Sequence, residues 1–315
     1  MDKIKVGVSS CLLGNKVRFN SQHKLDHYIA DVLGQWFDFV PVCPEVECGL
    51  PVPRETMRLV GNREQQKLMT SLTGIDHTEK MEKWIQKKLP ELEQENLMAF
   101  IFKTKSPSSG MRKVKIYNEK GNPVSYDGEG LFAKAFMQRF PDIPVEDEGR
   151  LKDNGIREQF IESIFILDRW RQAVSERKSS SIVEFHTRHK YTFMAHSPEF
   201  LKAMGKLTAA AGNLDINTLI QEYRKQLNNL LREKKTKKTN YNVLLHILGY
   251  FKKNLTPEEK QELLRECELY YNGYSPLIVP LTLLRHYTGK YKESYLIKQY
   301  FLNPHPAELG LLNHI

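Results

Sequence analysis

Three short apolar runs in the first third of the chain are separated by stretches with helical spacing. The runs are Lys3–Ser10, with Ile4, Val6 and Val8 at its centre, Phe37–Val42, and Leu97–Lys103. Between the first two, Tyr28, Ile29, Val32, Leu33 and Trp36 recur at i, i+3/i+4 steps and predict a helix over Asp26–Phe37. Glu79–Glu95 and Asp127–Phe140 predict two further helices, and Ile143-Pro144-Val145 a last short edge. Strands alternating with helices pack as a mainly parallel sheet with right-handed crossovers. The expected fold of residues 1–172 is therefore a Rossmann-like α/β domain. In such a sheet the strand C-termini share one rim, and the loops that follow them carry the site.

Each strand is followed by a chemically loaded loop. The first is Ser9-Ser10-Cys11-Leu12-Leu13-Gly14. The second, Pro41–Glu55, holds two cysteines, three carboxylates, four prolines and Arg54. The third is Thr104-Lys105-Ser106-Pro107-Ser108-Ser109-Gly110. All three should meet on the rim. Soft thiolates from such loops suit iron, and iron–sulfur clusters are normally held by cysteines. Cys11 and Cys43 are plain candidates; the third loop offers Ser109, and Cys48 is the remaining nearby thiol. Cys267 falls within a helical pattern of the second half and reads as a small core residue.

From Asn154 a long helical pattern (Ile156, Phe160, Ile164, Phe165, Leu167, Trp170) leads into a polar break, Ser175–Ser181, where the domain boundary is expected. Residues 178–315 read as an all-α helical domain: Ile182–Ser197, Pro198–Ala211, Asp215–Glu233, Asn240–Lys253, Pro257–Asn272 and Ile278–Tyr287. This half holds 20 Lys/Arg against 12 Asp/Glu, so it carries nearly all of the net charge of +9. A basic module beside a near-neutral one suggests an anionic partner, nucleic acid being the commonest, although a well-solvated helical surface has the same signature. The run Lys234-Lys235-Thr236-Lys237-Lys238 reads as a solvated loop or a phosphate contact. Arg188 and Lys190, interleaved with His186, His189 and Tyr191, read as a phosphate- or base-contacting helix face in preference to a metal site.

The 315 residues are enough for two cores. The first strand pattern begins at once, without an apolar stretch of signal-peptide length, and no run approaches the ~18 apolar residues of a membrane span. With four cysteines, this predicts a reducing, cytoplasmic setting.

The motifs Val8-Ser9-Ser10-Cys11-Leu12-Leu13-Gly14, Val17-Arg18-Phe19-Asn20, Val42-Cys43-Pro44-Glu45 and Lys105-Ser106-Pro107-Ser108-Ser109-Gly110 resemble the thiouracil desulfidase (TudS-like) family. Phe185-His186-Thr187-Arg188-His189-Lys190-Tyr191 and Asn303-Pro304-His305-Pro306 resemble the YbgA-like helical domain. Joined in this order they are similar to the longer members that desulfurate 4-thiouridine in tRNA. The resemblance implies a 4Fe-4S cluster on three cysteines, with one iron open to sulfur. It implies Cys11 and Cys43 as ligands, Glu45 as the acid/base group and Ser106 as its partner hydroxyl. Arg18, Asn20 and Arg54 become candidate substrate-binding residues, and Arg188, Lys190, Lys234, Lys235, Lys237 and Lys238 candidate RNA contacts. The substrate implied is a thiolated pyrimidine, free or in tRNA.

One position departs from the family pattern, which reads Ser-Pro-Ser-Cys-Gly where this chain has Ser109. Three outcomes stay open: Cys48 supplies the third thiolate, Ser109 ligates as a harder donor, or the chain is a cluster-free RNA-binding or scaffold protein.

Overall fold

The computed structural model describes residues 3–62 and 65–314. Two compact units divide the chain, Met1–Phe160 and Ile161–Ile315.

The first unit runs β1 (Ile4–Ser9), β2 (Phe37–Val42), α1 (Pro44–Glu47), β3 (Met57–Gly61), β4 (Gln66–Thr70), α2 (Thr78–Gln94), β5 (Ala99–Phe102), β6 (Val114–Tyr117), β7 (Pro123–Gly128), α3 (Leu131–Arg139) and β8 (Val145–Asp147). The expected parallel sheet is present, in the order β2-β1-β5-β8 with every pairing parallel. β1 and β5 are almost wholly buried, as strands covered on both faces must be. At Gly7 in β1 a Cβ would lie 2.2 Å from the Phe100 ring, so that position takes no side chain. Phe100 belongs to an aromatic core with Phe102, Phe132 and Phe136, its centroid 4.3 Å from that of Phe102 and 4.8 Å from that of Phe136. Each such ring contributes ~2 kcal/mol from burial and fixes α3 against the sheet.

Two expectations need correction. Asp26–Phe37 is not an α-helix: it forms a π-helical turn at Tyr28–Val32 and a 3₁₀ turn at Leu33–Gln35, which bury Ile29 and Leu33, and its last residue, Phe37, opens β2. The chain also builds a second sheet, β4-β3-β6-β7, in which β3–β6 is parallel and β3–β4 and β6–β7 are antiparallel. Its strands are short and carry charged residues on their open face, so no apolar run announces them.

The second unit is helical. α4 (Asn154–Ser175) runs through the division between the units, followed by α5 (Ser179–His196), α6 (Pro198–Ala209), α7 (Ile216–Arg232), α8 (Lys237–Leu248), α9 (Pro257–Tyr271), α10 (Ile278–Lys290) and α11 (Ser294–Ile297). Trp170 of α4 stacks on Tyr223 of α7 at 4.8 Å, which ties the end of α4 to the helical core. The polar stretch read as a domain linker is therefore a short turn between α4 and α5, with Arg177 in the left-handed region at φ 51°. Cys267 packs fully buried in this core.

Candidate active site

The three strand-end loops converge. Cys11, in a 3₁₀ turn after β1, Cys43, directly after β2, and the Ser106–Ser109 loop after β5 line one cavity of about 390 Å³. That size lies within the range of small-molecule sites. Arg18, Glu45, Arg54, Glu55, Lys103 and Lys105 are its charged lining residues.

Glu45 sits in the first turn of α1 because Pro44 starts that helix immediately after Cys43. Both of its oxygens are engaged. Arg54 Nε donates to Oε2 at 2.9 Å and Arg54 Nη2 donates to the same oxygen. Ser108 Oγ donates to Oε1 at 2.8 Å. The Ser108 proton is thus committed, so its 3.0 Å contact with Ser106 Oγ is Ser106 donating. Ser106 Oγ in turn accepts from the backbone N–H of Ser109 at 3.1 Å. The result is a directed chain, Ser106 to Ser108 to Glu45. Ser108 was absent from the sequence candidates: its motif carried it, but only folding brings it against a carboxylate 63 residues away.

The serine loop is held by α3. Ser108 O accepts from Phe132 N at 3.0 Å and Gly130 N donates to Gly110 O at 2.7 Å, so the free N–H groups of the helix start anchor the loop. A Cβ at Gly130 would fall 2.5 Å from the Ser108 carbonyl carbon, so only glycine permits this approach.

Arg54 is consumed by the fold. Besides Glu45, its guanidinium donates to Val17 O at 3.0 Å and Pro51 O at 3.3 Å, and its side chain is 6% exposed. It positions Glu45 and has little left for a substrate. Arg18 lines the cavity with its guanidinium over Phe19. Asn20 does not line it; it is exposed and bonded to Gln22. Lys103, unnoticed in the sequence, lines the cavity beside Cys11 and is fixed there by an ion pair to Glu148.

Burial pushes the Cys11 thiol up and the Cys43 thiol up to about 11; near Cys11 the Lys103 ammonium opposes this. Cys48 is turned away: its Sγ donates to Glu45 O at 3.2 Å from within the apolar cluster of Val42, Leu50 and Met81, and it does not line the cavity. Ser109, 4% exposed, stands where the third thiol is expected. Among the described residues, no group of three or more His, Cys, Asp or Glu side chains is placed to hold a metal ion. The donor set is two thiols and a hydroxyl, which does not match a three-thiolate cluster site.

In the second unit the three histidines of α5 face inward. His189 is fully buried and its Nδ1–H donates to Phe185 O at 2.7 Å. His186 Nδ1 lies 3.0 Å from the Tyr223 hydroxyl. His196 contacts Glu233 O at 2.7 Å and Glu162 at 3.1 Å. Lys235 pairs with the same buried Glu162 at 2.9 Å, so it is not a free surface cation. Lys234, Lys237 and Lys238 are exposed, Lys237 and Lys238 as the opening residues of α8 behind the Thr236 cap, and Arg188 and Lys190 are half-buried. The run is thus no continuous solvated loop.

Residues 6–148 match the family model described as 2-thiouracil desulfurase, and residues 190–306 match that of a protein of unknown function, DUF1722. The uncharacterized protein YbgA of Escherichia coli K12 is 27% identical over 132 residues, which cover 42% of this chain and 78% of YbgA. The solved [4Fe-4S]-dependent thiouracil desulfidase TudS is 32% identical, covering 48% of this chain and 94% of its own, at a TM-score of 0.40. Over residues 6–148 the chain belongs to the TudS-like 2-thiouracil desulfurase family, and a YbgA-like DUF1722 region follows in the same polypeptide.

Proposed function

We propose that this protein is a desulfidase that replaces the sulfur of a thiolated uracil by oxygen, and that its substrate is 4-thiouridine within tRNA. The exchange is hydrolytic: a C=S group and water become C=O and hydrogen sulfide, with no change of oxidation state. The observation that carries the reading is the Ser106–Ser108–Glu45 chain facing the cavity that Cys11 and Cys43 also line. A carboxylate held from both sides can take a proton from the attacking water and return it to the departing sulfur. Ser106 and Ser108 give that proton a path, and Arg54 keeps the carboxylate aimed. Lys103 and Arg18 supply positive charge where the ring oxygen and sulfur bear negative charge during the exchange.

A 4Fe-4S cluster, where bound, supplies a soft Lewis acid for sulfide. Cys11 and Cys43 are two of the thiolates that such a cluster takes. With Ser109 in the third place the donor set falls one thiolate short, and the proton steps above belong to the protein's own groups.

The tRNA substrate is supported by the basic excess of the second half, where Arg188, Lys190, Lys234, Lys237 and Lys238 remain as RNA-contact candidates. Reaching a base within folded tRNA requires drawing it out of its stack into the cavity. The setting consistent with unpaired cysteines is the reducing cytoplasm. Among the described residues no helix is long and apolar enough to cross a membrane.

Sulfide release from thiolated tRNA, compared with release from free thiouracil, tests the reading. Faster turnover of tRNA supports it; turnover of the free base alone overturns the tRNA substrate. Ser109 favours one second reading, a chain that binds the RNA without desulfurating it. Iron and acid-labile sulfide in anaerobically prepared protein, with and without Ser109→Cys, separate the two.

A further inference from the structure

The second sheet forms a groove beside the active-site cavity. The groove, of about 610 Å³, is lined by Arg58, Lys105, Lys113, Lys115, Tyr117 and Tyr126 among others, and among the described residues by no carboxylate. Met57, Lys105 and Pro107 line both the groove and the cavity, so the two adjoin.

We propose that this groove holds the RNA strand next to the target base, with Lys105, Lys113 and Lys115 on its phosphates and Tyr126 under a neighbouring base. The inference rests on the RNA substrate proposed above and adds a strand contact on the α/β unit to those proposed for the helical unit.

Four cations with no acidic partner among the described lining residues make a site for a polyanion, and the tyrosines distinguish it from a site for a lone anion. Tyr126 is 59% exposed at a position in β7 where a soluble sheet would carry a polar residue. Lys115 lies 5.5 Å above its ring, and Arg58 lies 5.6 Å from the Tyr117 ring. Alternating cations and aromatic faces are how single-stranded nucleic acids are tracked, since phosphates take the charge and every base offers a face to stack. Arg58 is pre-placed: its Nε is buried without a hydrogen-bond partner, and it abuts the β6–β7 turn, where a Cβ on Gly121 would meet Nη1 at 2.8 Å. The backbone also holds Lys105 and Lys113 in the left-handed region at φ 59° and 52°, the first at the mouth of the serine loop. A strand lying here enters the cavity past Pro107, next to Ser106.

The test is binding of unmodified, thiol-free tRNA to the full chain, followed by fluorescence anisotropy over a salt series. The double variant Lys113→Ala/Lys115→Ala should bind about tenfold or more weakly, with a salt slope reduced by ~1.4, from ~0.7 per lost contact on a single strand. Tyr126→Ala should weaken binding about fivefold or more without changing the slope. Turnover of free thiouracil by either variant should match that of the parent chain. Parental affinity and salt slope in the double variant would overturn the proposal, as would displacement of the RNA by polyglutamate as readily as by unlabelled RNA. Because the probe carries no sulfur, loss of binding in the variants alongside an inactive parent chain would refute the desulfidase reading and leave the groove assignment standing.

Discussion

Arg54 clamps Glu45 from one side, Nε and Nη2 both donating to Oε2, while Ser108 holds Oε1 from the other at 2.8 Å. The arginine side chain is 6% exposed and the glutamate 15%, so the pair works largely out of water. Such pairing fixes a carboxylate's direction more than it adds stability.

Replacing the clamp should therefore act on turnover. Arg54→Lys keeps the charge but loses the forked donor that reaches Glu45, Val17 O and Pro51 O together. The expected outcome is a kcat lowered ~10-fold or more at little change in KM, whereas Glu45→Gln should cost ~100-fold or more. Steady-state sulfide release, measured in the chain and in the Ser109→Cys background, checks both.

Ser108→Ala cuts the proton chain and leaves one oxygen of Glu45 without its hydroxyl donor. Its effect should approach that of Ser106→Ala, and the double variant should cost little more than either single one, since residues acting as a unit are not additive. Additive losses would place the two serines in separate roles. The same sulfide assay supplies the numbers.

Gly130→Ala would press a methyl group onto the Ser108 carbonyl at 2.5 Å. Either α3 or the serine loop has to shift, at ~1–3 kcal/mol of stability. Activity should fall further than stability, because the loop carries Ser106 and Ser108. Thermal melting and turnover on the same preparation read the two effects.

Burial alone would raise the Glu162 carboxyl, but Lys235 and His196 outweigh it and hold the group well below the usual carboxylate range. A carboxyl depressed in the folded state adds stability above its unfolded value, ~4.3, and that stability is lost as pH falls toward the folded value. Lys235→Met should cost ~3–5 kcal/mol at neutral pH by stranding a buried charge. The gap between variant and parent should narrow on acidification. Melting temperatures at neutral pH and in acid decide it.

The parallel sheet and its three loops were legible because β1, β2 and β5 are short apolar runs that end abruptly in polar loops. The shared rim of the strand ends is enough to place Cys11, Cys43 and Ser106 together. The second sheet was not legible: in β6, Val114 and Ile116 alternate with Lys115 and Tyr117 over only four residues, and β7 is mostly exposed. Helical spacing over Asp26–Phe37 misled because the apolar residues there cap the sheet through tight turns, not one continuous helix face. In the second unit, composition could not tell which lysine of Lys234–Lys238 turns inward. Lys235 does so because Glu162, 73 positions earlier on α4, needs a cation in the core.

The account stands on hydrolytic exchange of sulfur for oxygen at the Glu45 cavity, and labelled water tests it most directly. Thiolated tRNA is incubated anaerobically with the protein, and with Ser109→Cys, in heavy-oxygen water without added reductant or oxidant; nucleosides are then read by mass spectrometry. The account predicts one heavy oxygen per uridine formed, one sulfide released for each, and loss of both in Glu45→Gln. Uridine without the label, uridine formed only when a reductant is supplied, or no uridine from either protein would contradict it.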